Sequence, residues 1–150
     1  MPCISGNFGP AGVLLQVAIL PADSDVAKAT ADRKGPDVTL FPALVDTGAN
    51  CTCNTPTVVA AVGLSPIGKR EMISASHVVS TNNYLFNLGL PTDLSQQPTG
   101  QVSGNLTLFE GINGMEFSAG PAQFHVLLGM DVLRRGVLSI SFDGRFVFCW

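Results

Sequence analysis

The sequence is poor in charge. Only 13% of its 150 residues are Asp, Glu, Lys or Arg, about half the share usual for a soluble domain. Eight basic residues stand against eleven acidic ones, for a net charge of −3, so there is no basic stripe with which to hold a nucleic-acid backbone. Lys69-Arg70 and Arg134-Arg135 are isolated pairs that suit the solvated ends of elements. A surface this short of charge predicts that part of it is covered by another subunit. No apolar run is long enough to span a bilayer. The one candidate targeting segment, Gly12 to Leu20, is short and is interrupted by Gln16. It also lacks a preceding basic flank and an Ala-x-Ala site, so it reads as a buried strand. No internal repeat is present, which excludes a two-lobed chain. Gly6, Gly9 and Gly12 lack the Lys-Ser/Thr of a phosphate loop and precede a strand, so they read as loose turns within a flexible segment 1–10.

Cysteine and histidine are also scarce. The four cysteines, Cys3, Cys51, Cys53 and Cys149, are expected as reduced thiols, which suits a cytoplasmic location. Cys51-Thr-Cys53 is too tightly spaced for a zinc hook. His77 and His125 complete no metal pattern, so neither metal nor cofactor is expected. Asn50-Cys-Thr and Asn105-Leu-Thr match the glycosylation pattern but carry little weight without a secretion signal.

What the chain does have is apolar residues: 46% by count, enough for the core of one domain spanning 1–150. They fall in runs at 12–20, 38–46, 70–79, 84–90, 104–109, 124–128, 137–142 and 145–150, punctuated by Gly, Pro, Asn and Asp. The fold class is therefore mostly β. Leu138-Ser-Ile-Ser-Phe142 alternates cleanly, and Asp143-Gly144 predicts a tight hairpin turn into Arg145–Trp150. Two short helices are expected. One spans Thr57 to Val62, with Thr55-Pro56 at its start and Gly63 at its end. The other spans about Gly129 to Arg135. Ala22–Pro36 and Pro91–Gly104 read as exposed loops.

Asp46-Thr47-Gly48-Ala49 closes the apolar run Val38–Val45. A carboxylate directly after a buried strand is followed by a hydroxyl and then by a glycine that lets the backbone turn its N–H toward the carboxylate. Phe124-His-Val-Leu-Leu-Gly129, followed by Met130-Asp-Val-Leu, supplies an apolar-apolar-Gly segment ahead of a helix. With Gly63-Leu64, Tyr84-Leu85-Phe86 and Gly144-Arg-Phe-Val-Phe148, the chain over residues 11–150 resembles the retropepsin-like (retroviral-type) aspartic proteases, in a cellular or bacterial single-domain form.

The resemblance implies a closed β-barrel or sandwich, a homodimer and a peptide or protein substrate. It makes Asp46, Thr47 and Gly48 the catalytic loop and sets Ala49, Asn50, Ser76, His77 and Leu128 along the substrate. Cleavage by paired carboxylates needs one protonated and one ionised, because two at contact distance share a proton. The ionised member activates a water and the neutral one donates to the peptide carbonyl. The chain has one Asp-Thr-Gly. Asp131 sits at a helix start, where it complements the helix dipole, and Asp143 sits in a turn. The partner of Asp46 is therefore expected to be Asp46 of a second chain across a two-fold axis, with the two Thr47 bonded across it.

The resemblance also implies a flap between Gly68 and Tyr84. Here the sequence departs from the viral pattern: no glycine marks the tip, and Asn82-Asn83 is the turn candidate. Asn50 stands where several relatives carry an acid. Phe146, Phe148 and Trp150 share one strand face, which packs either against a second chain or inside its own subunit. The alternative to an enzyme is a catalytically silent module of this fold that dimerises or binds extended peptides.

Overall fold

The computed structural model describes residues 1–22, 38–73, 77–92, 95–96, 102–103, 105–118 and 123–150. The expected loop 22–36 lies almost wholly outside them. Twelve strands and two short helices follow in the order β1 (Cys3–Asn7), β2 (Leu14–Pro21), β3 (Leu40–Val45), β4 (Cys53–Asn54), α1 (Pro56–Val62), β5 (Gly68–Ile73), β6 (Val78–Pro91), β7 (Ser95–Gln96), β8 (Val102–Ser103), β9 (Leu106–Glu116), β10 (Val126–Leu128), α2 (Met130–Leu133), β11 (Val137–Ile140) and β12 (Arg145–Cys149). No helix among them is long and apolar enough to cross a membrane.

One seven-stranded sheet runs in the order β2-β3-β10-β4-β9-β6-β5, and β2 also pairs with β6. That second pairing, Ala18 to Pro21 against Gly89 to Phe86, closes β2 through β6 into a barrel and removes their free edges. Burial drives the closure. Val17, Ala18, Phe86, Leu88, Leu90, Val126 and Leu128 are almost wholly hidden from solvent, and a fully buried aliphatic or aromatic side chain contributes about 1.5–3 kcal/mol. The β6–β9 ladder shifts register between Phe86 and Leu88. At the shift two β9 residues, Glu110 and Gly111, stand opposite the single Asn87, and the Oδ1 of that buried side chain accepts the Gly111 N–H at 3.0 Å, so the bulge does not strand this donor.

The expected helices form. Pro56 occupies the first turn of α1, and Gly63 ends it at φ 72° with its N–H on the Val59 carbonyl at 3.0 Å, the left-handed cap that glycine adopts without strain. Val58 anchors the helix in the core. The 91–104 segment, expected as a loop, contributes the end of β6 at Pro91 and a two-strand ladder, β7 against β8. Its remaining residues 93–94, 97–101 and 104 lie outside the described set.

A three-stranded sheet, β1-β12-β11, packs beside the barrel. It corrects two expectations. Residues 1–10 are not a loose segment throughout, because Cys3–Asn7 pair along the whole of β12. The cysteines are not all reduced, because Cys3 and Cys149 face each other in that ladder and form a disulfide. The inference from four thiols to the cytoplasm therefore loses its premise. The sheet also decides between the two roles left open for its aromatic face. Phe146 and Phe148 are buried in the subunit's own core, and Trp150 packs on it, 5.4 Å from the Phe148 ring and 6.4 Å from the Phe109 ring. The β11–β12 hairpin turns at Asp143-Gly144 as expected, with Gly144 at φ 83° and Asp143 bonded to Arg145. The adjoining Phe142 is fully exposed.

Candidate active site

Asp46 stands where β3 leaves the barrel. Its backbone is fixed from two sides. The Val45 N–H donates to the Val13 carbonyl at 2.9 Å, and the Asp46 N–H donates to the Leu128 carbonyl at 3.0 Å. β10 makes the second bond available by threading between β3 and β4, parallel to the first and antiparallel to the second. The chain after Asp46 then loops outward. The Ala49 N–H closes the turn on the Asp46 carbonyl at 3.2 Å, and the Gly48 N–H points back to the carboxylate Oδ1 at 2.8 Å. The half-buried carboxylate thus accepts a backbone donor on one oxygen, while Thr47 and Gly48 are exposed beside it.

The loop is tied to the start of α2. The Met130 N–H donates to the Ala49 carbonyl at 2.8 Å. Asp131, read from sequence as a residue for the helix dipole, does bond the Val132 N–H at 3.0 Å. It also reaches across 79 positions of sequence to Thr52. Its Oδ2 accepts the Thr52 N–H at 3.0 Å and its Oδ1 accepts the Thr52 hydroxyl at 2.7 Å. The Thr52 Oγ1 in turn accepts the Gly129 N–H at 3.2 Å. Gly129 permits the close approach: a Cβ there would sit 2.5 Å from the Cys51 carbonyl carbon and 2.6 Å from its oxygen. Thr52, Gly129 and Asp131 therefore hold the Asp46 loop against β10 and α2. Sequence reasoning missed this network, since nothing in the local pattern links Thr52 to an acid so far along the chain.

The predicted site residues fall in two groups. Asp46, Thr47, Gly48 and Ala49 form one loop, with Asn50 exposed at its end and Leu128 bonded to its root. His77 belongs to a different element, the connection of the β5–β6 hairpin, where it is exposed. Ser76, in the same connection, lies outside the described residues. That hairpin occupies the region expected for a flap, but Asn82-Asn83 does not turn it. Both lie inside β6 opposite Lys69 and Gly68, and the chain reverses between Ile73 and Val78, which pair directly. Asn82 is half-buried there and Asn83 is buried. Ile73, Val78 and Val79 near the end of the hairpin are exposed apolar side chains. A groove of about 500 Å³, lined by Ser5, Asn7, Ser139, Ser141, Arg145 and neighbours, lies on the outer face of the terminal sheet and does not include Asp46.

No protein-family profile matches the sequence, and no curated protein matches it. Similarity appears in three dimensions. The chain is similar to the solved structure of a retropepsin-like aspartic protease from Rickettsia conorii, with a TM-score of 0.57 and 16% identity, over 97% of this chain and 89% of that one. It also matches the retroviral protease-like domain of Ddi1 from Leishmania major, with a TM-score of 0.41 and 13% identity, over 87% and 83% of the two chains. The barrel, the threaded β10 and the first of these likenesses define a retropepsin-like fold, mostly β with two short helices among the described residues.

Proposed function

We propose that this chain is one half of an aspartic endopeptidase that cuts peptide bonds with two Asp46 carboxylates, one from each copy of a homodimer. The observation that carries the proposal is the Asp46 loop itself: a half-buried carboxylate on an Asp-Thr-Gly turn, oriented by the Gly48 N–H and present once in the chain. Thr47 and Gly48 are exposed where a second copy would bring its own loop. Two such carboxylates at contact share one proton. The ionised one takes a proton from a water held between them, and the neutral one protonates the carbonyl oxygen of the peptide. The water attacks, and the tetrahedral diol collapses with no covalent enzyme intermediate. The β5–β6 hairpin would close over the substrate, with Ile73, Val78 and Val79 against its side chains.

The same apolar hairpin supports the second reading, a module that binds extended peptides without cutting them. Incubation with a mixed peptide library separates the two, because only the enzyme generates new termini. Asp46→Asn should keep the fold and lose cleavage by several orders of magnitude. Sedimentation across concentration tests the dimer, and a strictly monomeric protein that still cuts would refute the shared pair of carboxylates.

A further inference from the structure

Cys51 and Cys53 are the two cysteines outside the disulfide, and neither has a part in the proposed cleavage. Their placement is asymmetric. Cys51 is half-exposed at a bend that begins at Asn50, and Cys53 is buried behind it in β4. The Cys53 thiol donates to the Cys51 carbonyl oxygen at 3.5 Å, which sets it beside the Cys51 residue. Two residues of extended chain span about 6.6 Å, at the upper end of the roughly 4.4–6.8 Å between α-carbons that a disulfide bridges. The pair can therefore join once the bend at Cys51 tightens.

We infer that Cys51 and Cys53 are a peroxide-reactive dithiol that, when oxidised to a disulfide, unseats Thr52 and loosens the loop that carries Asp46. The Cys51 thiolate attacks one oxygen of a hydroperoxide. The O–O bond breaks, hydroxide (or alkoxide) leaves, and Cys51 becomes a sulfenic acid. The Cys53 sulfur then attacks the Cys51 sulfur. The S–S bond forms, the S–O bond breaks, and the Cys53 proton departs with the hydroxyl as water. Two electrons pass from the thiols to the peroxide.

The division of roles follows from the surroundings. The Cys53 S–H bond, helped by Arg70 and opposed by burial and by Asp131, lowers the Cys51 thiol to about 7, so about half of it is thiolate at neutral pH. The same bond and burial push Cys53 upward, which leaves it the resolving thiol. The mechanical consequence follows from the residue between them. Thr52 holds Asp131 through its N–H and hydroxyl, holds Gly129 through Oγ1, and its neighbour Cys51 has its carbonyl packed on Gly129. Drawing the flanking α-carbons together rotates both peptide groups out of these contacts. Only the effect on cleavage rests on the proposed protease activity; the thiol chemistry does not.

The experiment is peroxide treatment followed by differential alkylation and peptide mapping, on the wild type and on Asp46→Asn. The expected product is a Cys51–Cys53 disulfide in both, with faster amide exchange at Thr52 and Gly129. Alkylation of Cys51 should far outpace that of Cys53 and rise through pH about 7. Cys53→Ser should trap a dimedone-reactive sulfenic acid on Cys51, and Cys51→Ser should leave Cys53 unmodified. Equal labelling of the two thiols, or peroxide that leaves both free, overturns the inference. A disulfide with unchanged exchange at Thr52 overturns the coupling to the loop. If the protein cuts peptides, cleavage should fall in proportion to the disulfide formed. If it cuts none, the proposed function fails while the mapping still decides the thiol chemistry.

Discussion

Replacing Asp131 by Ala tests how the Asp46 loop is held. The change removes the acceptor of three donors: the Thr52 N–H, the Thr52 hydroxyl and the Val132 N–H. Thr52 is fully buried, so two of those donors would be stranded away from solvent. Each stranded group costs about 1–3 kcal/mol. Asp131 itself is only half-buried, so water can enter the vacated space and the lower part of that range applies. The expected loss is about 2–4 kcal/mol, against a total stability of about 5–15 kcal/mol for a domain. The variant should therefore fold, but with a lower urea midpoint at an unchanged slope. Asp131→Asn keeps one acceptor oxygen and should lose about half as much. Amide exchange at Thr52 and Gly129 should rise in the same order, Ala above Asn above wild type. A loss within about 0.5 kcal/mol, the range of an ordinary surface change, together with unchanged exchange at Thr52, would refute the view that Asp131 clamps the loop.

Phe148→Ala should destabilise by about 3–5 kcal/mol, because the ring is fully buried in its own subunit; an unfolding midpoint unchanged at any protein concentration would contradict that packing. Reduction of Cys3–Cys149, which closes nearly the whole chain at a separation of 146 residues, should lower stability by about 2–5 kcal/mol, and identical melts with and without reductant would show that the link contributes nothing. Cleavage should follow a bell-shaped pH profile whose two limbs belong to the carboxylate pair as a unit; a rate still rising into alkaline pH would point to a thiol or metal mechanism instead.

Strands β2, β3, β10, β11 and β12, both helices and the Asp46 turn were legible in the chain because each rests on local chemistry, whereas β1, β4, β7 and β8 were not. Apolar runs bounded by Gly, Pro, Asn and Asp become strands, Pro56 and Gly63 bracket α1, and Asp143-Gly144 turns the last hairpin. Asn82-Asn83 shows the limit of such signals. A turn-forming pair was held in mid-strand because the register of β5 on β6, which spans twelve paired residues, outweighs the preference of two. Pairings between distant segments left no local trace. The disulfide follows from β1 lying on β12, which sets Cys3 opposite Cys149 across a sequence separation of 146. The inward packing of Phe146 and Phe148 was undecidable from period-two alternation, since alternation marks a buried face without saying which chain buries it. The tie from Thr52 to Asp131 is of the same kind. It exists because β10 threads between β3 and β4 and delivers α2 to the back of the Asp46 loop, and the energy of that meeting belongs to the assembled barrel and to neither segment alone.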